Sequence, residues 1–250
     1  MKPRVSVVVT ARDEAEAITP ALSRIGEAVS LPCEILVVCD SREDTTVPWV
    51  EKYAREDQRV RLVLNTYGPG PARAIRAGFD AASADVVVVT MADGCDDPQQ
   101  IDQLTRLVER GVVVAAASRY SRGGQQVGGP LLKGLISRSA GASLRLLGRV
   151  GTWDPTNSFK AYDRRFVQEV GIDSDQGFEV GLELVAKARR LRRPVAEVPT
   201  IWLDRTYGVS HFKLIKWLPA YLRWYRFAFG PRLELAALKQ LLAPKGDGKR

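Results

Sequence analysis

Near its amino terminus the chain reads Val5-Ser6-Val7-Val8-Val9-Thr10, an apolar and β-branched run typical of a buried parallel strand. Helical spacing of apolar residues follows over Asp13–Val29. The same alternation then predicts, in order, strand Glu34–Cys39, helix Val47–Glu56, strand Val60–Asn65, helix Ala72–Ala82, strand Asp85–Thr90, helix Pro98–Glu109 and strand Val112–Ala117. Strands that alternate with helices predict an α/β fold, a mostly parallel sheet with helices on both faces.

After Ser118 this alternation becomes irregular. The pattern predicts a glycine-rich loop Ser121–Pro130, helix Leu131–Leu147, strand Asn157–Tyr162, helix Phe178–Leu191 and strand Val195–Leu203. No internal repeat or long linker divides the chain. We therefore expect one domain over residues 1–210, amphipathic basic helices over 211–242 and a disordered basic tail over 243–250.

The composition describes a globular protein with an uneven charge. Among 250 residues, 45% are hydrophobic and 26% charged, and the formal net charge is +8, which argues against a disordered or coiled-coil chain. From residue 186 onward, 15 Lys and Arg stand against 4 Asp and Glu. This end predicts an anionic partner: a phosphate-bearing substrate, an acidic membrane surface or nucleic acid. Three cysteines, an odd number, favour a reducing, cytoplasmic location.

The basic run Arg189-Arg190-Leu191-Arg192-Arg193 lies at the end of a predicted helix. Because no known nucleic-acid-binding pattern accompanies it, we expect no nucleic-acid partner. A solvated helix terminus, where cations favour the helix dipole, or a contact with acidic lipid fits this run better.

In open α/β sheets, ligands bind beyond the carboxyl ends of the strands. The first such loop, Thr10-Ala11-Arg12-Asp13-Glu14, lacks the Gly-x-Gly-x-x-Gly pattern of dinucleotide-binding domains. Asp13 could cap the next helix, with Glu14 favouring its dipole. After the second strand, Asp40 could accept hydrogen bonds from a nucleoside, while Asp44 or Thr45 could cap a helix.

Two further loops follow the third and fourth strands. Gly68-Pro69-Gly70-Pro71 predicts a tight turn rather than a phosphate loop, because each proline removes an N–H donor. The fourth strand ends in Met91-Ala92-Asp93-Gly94-Cys95-Asp96-Asp97, and three carboxylates here favour a hard divalent cation. One of the last two acids could cap the helix at Pro98, which leaves Asp93 as the candidate functional acid.

Together these motifs resemble inverting family 2 glycosyltransferases of GT-A (Rossmann-like) fold, and among them dolichol-phosphate mannose synthases and bacterial polyprenyl-phosphate relatives. The similarity covers roughly residues 4–215. It is carried by Ser6–Ile18, the Asp40 loop, Gly68–Gly78, Ala92-Asp93, Ser118-Arg119-Tyr120, Lys133 with Ser137-Arg138, Asn157-Ser158-Phe159, Gly177-Phe178-Glu179, Val198-Pro199, Asp204-Arg205, Gly208, Ser210 and Lys213.

The resemblance implies a role for each matching position. The donor, a GDP- or UDP-linked hexose, would be bound by Thr10, Arg12, Glu14, Asp40, Ala92, Asp93, Arg205 and Lys213. The acceptor lipid's phosphate would be bound by Arg119, Lys133 and Ser137. Asp93, with Asp96 as a replacement ligand, would hold Mg²⁺ or Mn²⁺. Asp93, Arg119 and Arg205 would be the catalytic residues.

The sequence departs from the family at the metal loop. Where the family has Asp-Ala-Asp, this chain has Met91-Ala92-Asp93, and Cys95 replaces a common Gln. A thioether is a poor ligand for Mg²⁺ or Mn²⁺. We expect a loosely held metal, with the donor's diphosphate supplying most of the ligands.

The expected reaction moves a mannose- or glucose-type hexose to polyprenyl phosphate with inversion. A phosphate is already anionic and needs no general base. One alternative uses a glycan hydroxyl as acceptor, with Asp154, Asp204 or Glu179 as candidate base. Another is a catalytically weak membrane-docking subunit that binds nucleotide sugar.

Residues 213–229 predict an amphipathic helix with aromatic residues beside basic ones, typical of an interfacial segment. The other interpretation is a helix that packs its aromatics on the core. With no apolar run of about 20 residues, we expect peripheral association with the inner face of the membrane.

Overall fold

The computed structural model describes residues 2–204 and 214–243. Its strands are β1 (Val5–Thr10), β2 (Cys33–Cys39), β3 (Val60–Leu64), β4 (Val86–Met91), β5 (Val114–Ser118), β6 (Gln125–Val127), β7 (Lys160–Asp163), β8 (Val195–Pro199) and β9 (Ile201–Leu203). Its α-helices are α1 (Ile18–Ala28), α2 (Val47–Glu56), α3 (Pro71–Ala81), α4 (Ile101–Glu109), α5 (Leu131–Ser143), α6 (Arg164–Val170), α7 (Val180–Arg190), α8 (Leu214–Ala228) and α9 (Leu235–Leu242).

The described residues form a seven-stranded sheet in the order β3-β2-β1-β4-β7-β5-β8. All of its strand pairs are parallel except those of β7. The valines of β1 and β4 are buried because helices cover both faces of the sheet. One apolar cluster contains α1, α2 and α4, and the other contains α3, α6, α7, α8 and α9. The predicted α/β architecture is confirmed.

Two predicted elements differ from the structure. The loop Ser121–Pro130 contains β6, which pairs with β9 in a small second sheet. The strand predicted over Val195–Leu203 is divided at Thr200 into β8 and β9. Thr200 causes the division because its N–H donates to Ser118 and its carbonyl accepts from Gln125, so the chain leaves one sheet and joins the other.

The carboxy-terminal helix α8 packs on α7 of the domain. Trp217 and Trp224 are buried, and Trp224 Nε1 donates to Ser174 Oγ at 2.9 Å. Trp217 lies so close to Gly177 that a Cβ there would come within 2.4 Å of its ring. The expectation that these tryptophans lie at a membrane interface is therefore wrong, because they pack α8 against the core.

The same helix presents other apolar residues outward, since Leu218 and Leu222 are 41% and 39% exposed. The described part of the chain contains no helix with the length and apolarity that a bilayer crossing requires. The predicted domain boundary at 210–211 and nearly all of the predicted tail lie outside the described residues.

Candidate active site

A cleft of about 1340 Å³ opens at the carboxyl ends of β1, β2, β4 and β5. The residues that line one end were predicted to bind the donor: Thr10, Arg12, Glu14, Asp40 and Asp93. Arg119 and Ser137 also line the cleft, as do Leu218, Tyr221 and Leu222 of α8. One cavity thus brings together these predicted donor and acceptor residues, whereas Ala92, also predicted to bind the donor, is 2% exposed and is not among the residues that line the cleft.

The loop after β1 is held by the loop after β2. Asp13 and Ala15 have left-handed backbones, with φ of 54° and 47°, which L-residues rarely adopt. Asp44 Oδ1 accepts from the Asp13 N–H at 3.1 Å, and Thr46 Oγ1 accepts from the Glu14 N–H at 3.0 Å. Asp44 also accepts from the Thr46 N–H at 2.8 Å, so it is the acid that organises the start of α2. These bonds hold the Glu14 segment at the cleft.

Asp40 is fixed from two sides. Its Oδ1 accepts from Asn65 Nδ2 at 2.8 Å, and its Oδ2 accepts from the Gly70 N–H at 3.1 Å. Gly70 has a φ of 133°, which explains the glycine at this turn. Each carboxylate oxygen can accept a further hydrogen bond, so Asp40 stays competent to bind a nucleoside. Asn65 has no signal in the sequence beyond its place at the end of β3.

The loop after β4 turns at Asp93. Asp93 Oδ1 accepts from the Cys95 N–H at 3.1 Å, and Gly94 has a φ of 69°. Arg24 of α1 donates to the Gly94 carbonyl at 2.7 Å and fixes the turn from outside the cleft. Asp97 accepts from the Gln99 N–H at 3.1 Å, so it is the predicted cap of the following helical turn. Asp93 lines the cleft, as the functional interpretation requires.

Asp96 is buried at the floor of the cleft and is already bonded to the protein. Its Oδ2 accepts from Thr90 Oγ1 at 2.8 Å and from the Met91 N–H at 3.4 Å. Burial, and then the charge of Asp93, raises the pKa of Asp96 to about 7. As placed, Asp96 completes the β4 turn and is not arranged as a second metal ligand.

The described residues contain no group of three or more His, Cys, Asp or Glu that could hold a metal ion. Met91 also lines the cleft, and its sulfur accepts weakly from Thr10 Oγ1 at 3.7 Å. The donor set still suits a shared site, because Mg²⁺ in proteins is often held by one or two carboxylates and the phosphates of its substrate. Asp93 lines the cleft and could contribute a carboxylate to such a site.

Arg119, which lines the cleft, forms a bidentate ion pair with Asp154. Arg119 Nε and Nη2 donate to the Asp154 carboxylate at 2.7 and 2.9 Å, and the Arg119 N–H donates to Oδ2 at 3.1 Å. The Asp154 side chain is fully buried, and that of Arg119 is 13% exposed. Burial alone would raise the pKa of Asp154, but the charge and hydrogen bonds of Arg119 hold it below its usual value. Arg119 keeps further N–H donors and lines the cleft.

A second layer of polar residues supports this pair. The Asp154 N–H donates to Thr152 Oγ1 at 3.0 Å, and Thr152 donates to Glu197 of β8 at 2.9 Å. Fully buried Lys160 of β7 donates to the Asn157 carbonyl. Burial lowers the pKa of Lys160 to about 7, against the opposing charge of Asp154. Sequence reasoning missed Thr152, Glu197 and Lys160, which lie on segments joined only by the fold.

Of the other predicted acceptor residues, Ser137 lines the same cleft as Arg119. Ser137 Oγ shares a hydrogen bond with Thr156 Oγ1 at 2.8 Å, and both residues line the cleft. Arg119 also lies over the Tyr120 ring, with Cζ 4.9 Å from its centroid. Lys133 belongs to α5, but its side chain is outside what the structure describes, and Arg205 and Lys213 lie outside the described residues.

The part of the cleft lined by α8 is apolar and includes the exposed residues Leu218 and Leu222. Phe178 packs edge-to-face on Trp217, with ring centroids 5.7 Å apart. Tyr225 of α8 shares a hydrogen bond with Ser143 of α5 at 2.8 Å, which joins the two helices. Beyond this contact α5 carries four exposed apolar side chains: Leu131, Leu132, Leu135 and Ile136.

Two of the three candidate general bases are occupied by structural contacts. Asp154 is paired with Arg119. Glu179 is fully buried and accepts from the N–H groups of Gln176 and Gly177 at 3.2 and 2.8 Å. Asp204 does line the cleft.

The sheet topology and the cleft at its carboxyl edge define a Rossmann-like protein that binds a nucleotide-containing ligand. Residues 6–171 match the family described as Glycosyl transferase family 2. The chain belongs to this family and is a glycosyltransferase, as its motifs indicated.

Two relatives and one solved structure give the range of similarity. The chain is 27% identical over 212 residues to an undecaprenyl-phosphate mannosyltransferase of Micrococcus luteus, covering 83% of this chain and 86% of the relative. It is 30% identical over 217 residues to a dolichol-phosphate mannosyltransferase of Pyrococcus furiosus, covering 84% of this chain but only 59% of the longer relative.

The solved structure is glucosyl-3-phosphoglycerate synthase from Mycobacterium tuberculosis in complex with Mn²⁺, uridine diphosphate and glucosyl-3-phosphoglycerate. It matches with a TM-score of 0.62 and 17% identity, over 98% of this chain and 82% of that chain. This similarity confirms the GT-A fold.

Proposed function

We propose that the protein transfers a hexose, of mannose or glucose type, from a GDP- or UDP-sugar to polyprenyl phosphate with inversion at the anomeric carbon. One observation carries the proposal: a single cleft is lined by the loops after β1, β2 and β4, by Arg119 and by apolar residues of α8. A phosphate at Arg119 would have the donor on one side and room for a lipid chain on the other. The two mannosyltransferase relatives, whose names specify polyprenyl-type phosphates, support this acceptor.

The donor end would bind the nucleotide sugar through Thr10, Arg12, Glu14, Asp40 and Ala92. Asp40 and Glu14 suit this role because their positions are fixed by neighbouring loops before any ligand arrives. Such preorganisation reduces the free energy spent on ordering the site. Asp93, with Asp96 as a weaker candidate, would hold Mg²⁺ or Mn²⁺ together with the donor's diphosphate. A bound cation would supply charge neutralisation for the diphosphate.

Catalysis would consist of alignment and charge stabilisation. The phosphate acceptor is anionic near neutral pH, so no side chain has to remove a proton from it. Arg119, held by Asp154, would orient a phosphate oxygen toward the anomeric carbon, with Ser137 and Lys133 as further acceptor contacts. Arg205 and Lys213 would neutralise the departing nucleoside diphosphate. The pairing of Asp154 and the burial of Glu179 favour this reaction over transfer to a hydroxyl.

The acceptor lipid would reach the cleft from a membrane surface, at the cytoplasmic, inner face. On α5, Leu131, Leu132, Leu135 and Ile136 fall on one side of the helix at about 100° per residue, and all are exposed, Leu131 by 91%. Exposed apolar residues grouped in this way are typical of membrane or protein contacts. They lie beside the apolar mouth, where the lipid chain would enter.

Lipid glycosylation is the direct test. Purified protein is incubated with a short polyprenyl phosphate and a panel of GDP- and UDP-sugars, with Mn²⁺, Mg²⁺ or EDTA. We expect transfer from one donor, which stops with EDTA. Tight nucleotide-sugar binding without transfer would instead favour a hydroxyl acceptor, through Asp204, or the catalytically weak docking subunit.

A further inference from the structure

A second depression, of about 540 Å³, lies outside the active-site cleft and shares no lining residue with it. It is formed by the segment after α5, the end of α7 and the segment after α8. Five arginines line it: Arg149, Arg189, Arg192, Arg193 and Arg232. Among the residues that the structure describes, none of those lining it is acidic. A cavity lined in this way concentrates positive potential and favours an anion.

The protein builds this depression with some conformational strain. Arg149 and Arg192 each lie at the end of a helical segment with φ of 55° and 56°, where glycine or asparagine is the usual residue. Arg189 Nε donates to the Gly148 carbonyl at 2.8 Å, and its Nη1 donates to the Gly230 carbonyl. Arg189 thus joins the three segments and fixes the shape of the depression.

Charge compensation within the protein is weak. In the described part of the chain, the ion pair formed by these arginines is that of Arg193 with Glu169, at 3.6 Å between two partly exposed side chains. Exposed pairs of this kind stabilise a protein by about 1 kcal/mol or less. Cations also favour the negative end of a helix dipole, but that effect does not require five of them around one cavity.

The rim of the depression is apolar and exposed. Leu147 lines it and is 74% exposed, and its neighbour Leu146 is 63% exposed. The helical turn that carries both leucines continues directly from α5, whose exposed leucines flank the active-site mouth. An apolar rim does not contribute to the binding of inorganic phosphate. It can contact a phospholipid, whose phosphate lies next to its acyl chains.

We propose that this arginine depression binds the headgroup phosphate of an anionic phospholipid. The exposed face of α5 would enter the membrane near the active-site mouth, and the depression would hold a headgroup at the far end of the same helical segment. Two separated attachments would fix the tilt of the cleft on the membrane. The orientation of the cleft toward the membrane rests on the proposed function, whereas the binding of a headgroup in the depression does not.

The test is vesicle binding by the full chain, which requires no catalysis. Vesicles of pure phosphatidylcholine are compared with vesicles of phosphatidylcholine and phosphatidylglycerol in equal amounts. The variant R149Q/R192Q removes two charges from the depression and keeps long side chains. The matched control R55Q/R110Q removes two exposed charges from α2 and the end of α4, on the opposite face of the sheet.

Wild-type protein should prefer the anionic vesicles. At roughly fivefold per cation, R149Q/R192Q should weaken this binding by about twenty-five-fold, with unchanged melting temperature and unchanged binding to pure phosphatidylcholine. R55Q/R110Q should weaken it much less. Equal losses in the two variants, which would indicate general surface charge, would overturn the proposal. The proposal would also be overturned if inorganic phosphate bound in the depression and anionic vesicles did not.

Discussion

The two ends of the active-site cleft are built in different ways. At the donor end, loops that follow parallel strands are fixed by carboxylates that accept backbone N–H groups, as Asp44 and Asp93 do. At the acceptor end, a buried ion pair and two helices from distant parts of the chain meet, joined by contacts such as Ser143 with Tyr225. The donor end therefore follows from local sequence, and the acceptor end depends on tertiary packing.

This difference supports the roles proposed for the two ends. The donor end presents fixed oxygen acceptors, which suit a nucleoside and a metal-bound diphosphate. The acceptor end presents a positioned cation beside an apolar opening, which suits a lipid phosphate. Variants at the two ends should thus affect different substrates.

The largest effect is expected at Asp93. Asp93→Asn should lower kcat by about a hundredfold or more, because it weakens the binding of the charge-neutralising cation at the diphosphate. Steady-state rates across a Mn²⁺ titration measure it. Asp97→Asn, which changes the neighbouring cap, is the matched control and should keep most activity. A near-normal rate for Asp93→Asn would remove this residue from the metal site.

Asp154→Asn should change the apparent KM of one substrate and not of the other. Loss of the carboxylate charge loosens Arg119, so the apparent KM for the lipid phosphate should rise about tenfold or more while that for the nucleotide sugar changes little. Because the change leaves a largely buried cation without its charged partner, stability should also fall, by about 3 kcal/mol. Asp163→Asn, which alters the cap of α6, controls for loss of a carboxylate. A KM defect confined to the nucleotide sugar would reassign Arg119 to the donor.

Leu131→Ser combined with Leu135→Ser should reduce binding to phosphatidylcholine vesicles by about tenfold, since each leucine buries apolar area in the membrane. Activity on a detergent-dispersed acceptor should persist. Leu241→Ser, at an exposed leucine of α9, is the control. If both variants bind vesicles as the wild type does, α5 is not the docking face.

The smallest effect concerns Lys160. Its pKa is about 7 in the folded protein and 10.5 in its ordinary state. Between these values the unfolded chain binds more protons, so the free energy of unfolding should rise with pH, by at most ~1.4 kcal/mol per pH unit from this group. Lys160→Met should lack this rise. Denaturant unfolding of both proteins from pH 7 to 9 measures it, and identical slopes would contradict the burial argument.

The sequence alone was enough to predict the strands and loops that form the donor end of the cleft. Valine-rich strands such as β1 and β4 are typical of a buried parallel sheet. Ligands of such sheets bind at the carboxyl ends of the strands, and this rule placed Asp40 and Asp93 at one cleft, as the structure does. The short strands β6 and β9 were not predictable, because residues such as Gln125 and Ile201 have no period and pair only in the folded chain.

The acceptor end of the cleft could be predicted only in part, because its contacts also form only in the folded chain. Arg119 was found through a family motif, but its pairing with Asp154 joins residues 35 positions apart. The tryptophans of α8 have the same spacing whether they face a membrane or the core. Gly177, which leaves space for Trp217, decides between these interpretations, and its effect is visible only in three dimensions.

The proposed reaction requires that the acceptor is a phosphate, from which no general base has to remove a proton. The most direct measurement offers the enzyme polyprenyl phosphate and the corresponding polyprenol, of equal chain length, with the same nucleotide sugar. We expect transfer to the phosphate and none to the alcohol. Transfer to the alcohol at a comparable rate would contradict it.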